Sequence, residues 1–107
     1  MDIVGHYING RRVPDDNRPQ DVYNPATGEV TRRVAMASAA TVGQAIAAAD
    51  AAFPAWRRVP PLKRARIMFR FKELLARDAD RIVGAIVDEH GKVWEDAHGE
   101  LQRGIEV

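Results

Sequence analysis

The rhythm of apolar and polar positions changes once along this chain, near residue 37. Before that point it is short and turn-rich. His6-Tyr7-Ile8 and Arg12-Val13 flank Asn9-Gly10, the preferred pair for a type I′ hairpin turn because both central residues need positive φ. Residues 14–19 are polar, carry two prolines and show no period, which predicts a loop. Asp21-Val22-Tyr23 is a short extended piece. Asn24-Pro25-Ala26-Thr27-Gly28 follows as a turn, with φ fixed at Pro25 and free to turn positive at Gly28. Residues 29–36 alternate and are rich in β-branched side chains, which predicts another strand. These strands are too few and short to close a sheet alone, so they are expected to lie against structure outside this segment.

From residue 37 the period is helical. Thr41-Val42-Gly43-Gln44 has the form of a capping box, with Thr41 as N-cap and Gln44 three residues on. Val42, Ile46, Ala49 and Phe53 then form one stripe, and Pro54 is expected to end the helix. Pro60-Pro61 opens a second helix, since proline suits the first turn. Its apolar set is Leu62, Ala65, Met68, Phe69, Phe71, Leu74 and Leu75, opposite a stripe of Lys63, Arg66, Arg70, Glu73 and Arg77. A third helix starts at Asp78 and Asp80, runs through Ile82, Val83, Ile86 and Val87, and is closed by Gly91 as C-cap. A fourth begins near Val93, with Trp94, Ala97, Leu101 and Ile105 on one line. That pattern is unfinished at Val107, and the expectation is that the natural protein continues.

A length of 107 residues makes at most one small domain. Hydrophobic content of 46% is that of a globular protein. No cysteine is present, which excludes disulfides, thiolate metal sites and a cysteine nucleophile within these residues. The first residues lack the basic and apolar regions of a signal peptide, and no apolar run could span a bilayer. The expected location is the cytoplasm. Net charge is +1, which exerts no general pull toward nucleic acid or anionic membrane. Charge is nonetheless uneven. Residues 57–77 hold eight bases and one acid, and residues 78–107 hold eight acids and three bases.

Candidate chemistry is sparse. The sequence has no GxGxxG, no P-loop and no HExxH, and the glycines at 84, 91, 99 and 104 form no phosphate cradle. His6, His90 and His98 lack metal-ligand spacing and read as structural or surface residues. The acids at 88, 89, 95, 96 and 100 fit a solvated helix face better than a catalytic pair. The basic stripe of the second helix has no interleaved aromatics and backs onto an apolar face, so an amphipathic helix accounts for it more simply than a nucleic-acid site. Arg103 stands apart. At about 100° per residue it falls opposite the Trp94–Leu101–Ile105 line. Gly99 shares its face and Gly104 adjoins it, so a ligand could come close to the guanidinium. That planar fork suits a carboxylate, although a solvated arginine is the plainer reading of position alone.

Taken in order, Tyr7-Ile8-Asn9-Gly10, then Tyr23-Asn24-Pro25-Ala26-Thr27-Gly28-Glu29-Val30, then Ala51-Ala52-Phe53-Pro54-Ala55-Trp56 resemble the N-terminal landmarks of aldehyde dehydrogenases. Arg64 to Phe71, Leu74-Leu75 and Glu89-His90-Gly91-Lys92 continue the match over essentially the whole chain. Glu95-Asp96-Ala97, Gly99-Glu100 and Arg103-Gly104-Ile105-Glu106-Val107 most resemble the CoA-acylating methylmalonate-semialdehyde dehydrogenase branch. Val93-Trp94 departs from it, since that branch usually has a smaller or aliphatic residue there.

The resemblance implies an α/β fold with a Rossmann-type NAD-binding domain, incomplete in this chain. Residues 1–107 would be the N-terminal part of that domain, with strands and turns over 1–36 and helices over 37–107. It implies oxidation of a small-molecule semialdehyde with NAD and coenzyme A, giving an acyl-CoA and CO2, as in valine breakdown. The thiol nucleophile and the NAD-holding residues would lie downstream, so the 107 residues alone would be inactive. Arg103 matches the branch's substrate-carboxylate arginine and is the single site residue expected here. No catalytic, cofactor-binding or metal-binding residue is expected. The partners implied are the semialdehyde and further copies of the chain, as a dimer or tetramer, with no nucleic acid and no membrane. A non-acylating aldehyde dehydrogenase segment and a small basic nucleic-acid-binding module are the alternatives.

Overall fold

The computed structural model describes residues 2–107. Five strands precede four helices: β1 (Ile3–Val4), β2 (His6–Ile8), β3 (Arg11–Val13), β4 (Gln20–Tyr23), β5 (Val30–Val34), α1 (Ala39–Trp56), α2 (Pro61–Arg77), α3 (Ala79–His90) and α4 (Trp94–Glu106). They form two compact units. One comprises residues 2–23 and Val30–Val59, and the other comprises Asn24–Glu29 and Pro60–Val107.

In the strand-bearing unit, β2 and β3 pair antiparallel with Ile8 opposite Arg11. Asn9 and Gly10 take φ of 52° and 74°, the type I′ geometry that the Asn-Gly pair predicts. The other sheet has the order β1-β5-β4. β1 was not foreseen. It has only two residues and pairs parallel with β5, Ile3 against Arg33 and Val4 against Val34. No local pattern announces a partner thirty residues away. Loop 14–19 is tied down by short bonds. Asp15 accepts from His6 Nε2 and from the Asn17 amide, each at 2.8 Å, and the Arg18 guanidinium donates to Ala37 O at 3.2 Å.

Two expectations for α1 are corrected. Its N-cap is Ser38, not Thr41: Ser38 Oγ accepts from the Thr41 amide at 3.1 Å. Starting there adds Ala39 and Ala40, the best helix formers, to the first turn. Pro54 does not end the helix, which runs on to Trp56. Pro54 stands two residues before the helix end, so its missing N–H and the crowding of its ring against the carbonyl four residues back fall in the last turn, and its fixed φ is already helical. The Arg57 amide bonds Phe53 O at 2.9 Å and closes the end. The predicted stripe also faces outward: Ile46 is 64% and Phe53 57% exposed. The half-buried positions are Thr41, Ala45 and Ala48 instead.

In the helical unit, α2 opens with Pro60 as N-cap and Pro61 in its first turn, as expected. Asp78 both ends α2 and precedes α3. Its carboxylate is held by Arg77 at 2.9 Å and by Arg81 at 3.5 Å. α3 ends at Gly91 with φ 77°, a left-handed C-cap. A β-carbon there would lie 2.8 Å from Pro25 Cγ in the turn Asn24–Gly28, so both backbone and neighbour require glycine. α4 carries Glu95 and Asp96 in its first turn, where acids complement the helix dipole. The packed centre is small, with Val83 of α3 and Ala97 of α4 fully buried.

Three carboxyl groups lie below their usual range. Asp15 is lowered first by the Asn17 amide and then by His6. Asp78 is lowered by its hydrogen bond from Arg77, and Glu100 by its bond from Lys92. A carboxyl group depressed on folding adds stability that is full above its unfolded pKa and is lost as pH falls through the folded value. Resistance of the helical circular-dichroism signal to urea is therefore expected to hold between about pH 7 and 5 and to fall below roughly pH 4. Resistance that rose on acidification would show that these bonds do not favour the folded chain.

Candidate functional site

Arg103 lies in the last turn of α4, and its geometry follows from the helix. Leu101 and Ile105, on the side opposite Arg103, are half-buried, and Ala97, about 120° away around the helix, is fully buried. The 3.6-residue repeat therefore turns Arg103 outward, and it is exposed. Gly99, one turn earlier, leaves the flank of the guanidinium open. A β-carbon at Gly99 would sit 3.9 Å from Arg103 Nη1, and one at Gly104 would meet nothing within 4 Å. The fork is thus presented on a rigid element with bare helix beside it, which suits bidentate binding of a carboxylate.

Lys92 lies between α3 and α4, with Nζ 2.8 Å from Glu100 Oε1. The bond from Lys92 is the main cause of the low Glu100 pKa, and the charges of His90 and Arg103 add to it. Reasoning on the sequence missed this pair. It spans eight positions and joins a loop to a helix, so no helical spacing flags it. Of the other acids, Glu95 and Asp96 stand in the first turn of α4. His6 is paired with Asp15 in the strand-bearing unit. Among the described residues no three His, Cys, Asp or Glu gather as metal ligands. On α2 the basic stripe carries one internal pair, Arg70 with Glu73 at 3.4 Å. No helix among the described residues is long and apolar enough to cross a membrane. A hollow bordered by Asp2, Gly5, His6, Arg12 and Pro14 lies in the strand-bearing unit, and of the candidate residues named from the sequence it contains only His6.

The family model for the aldehyde dehydrogenase family matches residues 13–107. The chain belongs to the aldehyde dehydrogenase family. The malonate-semialdehyde dehydrogenase of Pseudomonas aeruginosa is 53% identical over 106 residues, which cover 99% of this chain and 21% of that protein. The crystal structure of methylmalonate-semialdehyde dehydrogenase from Oceanimonas doudoroffii superposes with a TM-score of 0.96 at 59% identity, over 99% of this chain and 22% of that one. A Sinorhizobium meliloti 1021 protein of the same proposed activity, crystallised with NAD, gives 0.94 at 40% identity, again over 99% and 22%. This aldehyde dehydrogenase segment thus spans about a fifth of the length of the relatives it matches. The mixed α/β architecture is that of the family, incomplete here, as the sequence resemblance implied.

Proposed function

We propose that this chain is the N-terminal segment of an NAD-dependent, CoA-acylating malonate- or methylmalonate-semialdehyde dehydrogenase. Residues 1–107 form the first part of its NAD-binding domain, and Arg103 binds the carboxylate of the substrate. The observation that carries this reading is an outward guanidinium with a glycine flank, on a chain similar over 99% of its length to proteins named for semialdehydes that bear a carboxylate.

The residues present do not fit NAD or coenzyme A. They contain no glycine-rich turn to hold a pyrophosphate and no thiol to carry the acyl group, so both cofactors and the nucleophile would be supplied by other parts of the protein. When bound there, NAD accepts the hydride and coenzyme A takes up the acyl group. The contribution of this chain is to positioning. Arg103 would fix one end of a three-carbon substrate, which limits the directions in which its aldehyde carbon can point. The same reading places the enzyme in the cytoplasm, where NAD and coenzyme A are dissolved, and makes it a dimer or tetramer.

The test is stoichiometric. Full-length enzyme given malonate semialdehyde, NAD and coenzyme A is expected to form NADH, CO2 and acetyl-CoA in equal amounts. Release of a free dicarboxylic acid, with no acyl-CoA, would assign it to the non-acylating dehydrogenases instead.

A further inference from the structure

Arg103 and Glu100 stand three residues apart on α4, the separation at which opposite charges on a helix surface pair with each other. A carboxylate in that position would neutralise the guanidinium and compete with any carboxylate arriving from outside. Glu100 takes up that role only at a distance: its direct bond goes to Lys92, and the charge of Arg103 adds to the lowering of its pKa. Its Oε1 lies 2.8 Å from Lys92 Nζ, and the Lys92 side chain is only 20% exposed. Among the described residues no carboxylate lies within ion-pairing distance of Arg103.

We infer that Lys92 is a positioning residue for Arg103: by holding Glu100 it keeps the guanidinium open to the substrate carboxylate. The inference rests on the reading of Arg103 given above. It assigns to the segment between α3 and α4 a part in substrate binding, although no atom of Lys92 need touch the substrate. Lys92 is well placed for this because Gly91, left-handed at φ 77°, turns the chain immediately before it.

The experiment uses full-length enzyme with malonate semialdehyde and propionaldehyde as paired substrates. Lys92→Met keeps the length of the stem and removes the ammonium. It frees Glu100 to pair with Arg103, and KM for malonate semialdehyde is expected to rise roughly 2- to 5-fold, the range an exposed ion pair can supply. Neither kcat nor the constants for propionaldehyde should change. In Lys92→Met/Glu100→Gln the competitor is gone, and KM should return to the wild-type value. Glu100→Gln alone should leave KM at or below that value. A purely structural bond between Lys92 and Glu100 predicts the reverse, with the double variant as impaired as the single one and both substrates affected alike. An unchanged KM in Lys92→Met, a double variant no better than the single, or a raised KM in Glu100→Gln would each overturn the inference. Arg103→Ala, measured alongside, separates the two levels. If it slows both substrates equally, the reading of Arg103 fails and the Lys92 inference falls with it. If it discriminates while Lys92→Met does not, only the Lys92 inference falls.

Discussion

Arg103→Ala in the full-length enzyme is expected to lower kcat/KM for malonate semialdehyde by roughly 10- to 150-fold. A hydrogen bond to a charged partner contributes about 1.5–3 kcal/mol, and the fold-change is that free energy read as a rate ratio. Propionaldehyde has the same three carbons and no carboxylate for the guanidinium to hold, so its kcat/KM should change far less. Arg103→Lys should recover only part of the loss, because an ammonium cannot present two parallel N–H bonds. The ratio of the two substrates is the informative quantity, since general damage to folding cancels in it. Arg103 is exposed, so such damage should be small. Equal slowing of both substrates would make Arg103 a surface residue with no part in binding.

The second large effect concerns the 107 residues taken alone. They are expected to form no NADH from any aldehyde, and to associate or unfold over a broad range of denaturant. On α2, Leu62, Met68 and Phe69 are 62%, 57% and 64% exposed, and Ile67 and Phe71 about half exposed. On α1, Val42, Ile46 and Phe53 are similarly open. Full burial of one such side chain is worth about 1.5–3 kcal/mol, so eight half-exposed ones forgo on the order of 10 kcal/mol. That equals the whole net stability of an ordinary domain. The Arg64 Nε on α2, buried with no partner among the described residues, adds a further cost. Trp56 lies in one compact unit and Trp94 in the other, so fluorescence of single-tryptophan variants reports each separately. Broad, concentration-dependent and non-coincident transitions are expected. One sharp transition, shared by both probes and independent of concentration, would show that the apolar faces need no cover.

The parts of this structure that could be read in advance are those set by the backbone chemistry of a few residues. Asn9-Gly10, Gly28 and Gly91 all take the positive φ that their turns or caps require, and Pro60-Pro61 opens α2. Elsewhere the local pattern was not enough. The capping-box form at Thr41 gives way to Ser38, which adds two alanines to the helix. Pro54 is a helix breaker in mid-helix but costs little in a last turn, and its position could not be known before the end of α1 was. The strand β1 depends on a distant partner, β5, and is invisible to any local rule. The stripe on α1 lies exposed, since a period identifies an apolar face without saying what covers it. The site follows the same division. Helical spacing places Arg103 outward, opposite Leu101 and Ile105, whereas the Lys92–Glu100 pair needs the fold of the α3–α4 corner.

If Arg103 holds the substrate carboxylate, the full-length enzyme is selective for aldehydes that bear one. The specificity ratio of the unaltered full-length enzyme with NAD, kcat/KM for malonate semialdehyde over kcat/KM for propionaldehyde, measures this directly. One charge-assisted contact to the carboxylate predicts a ratio above about 10. A ratio near one, or a preference for propionaldehyde, would contradict it.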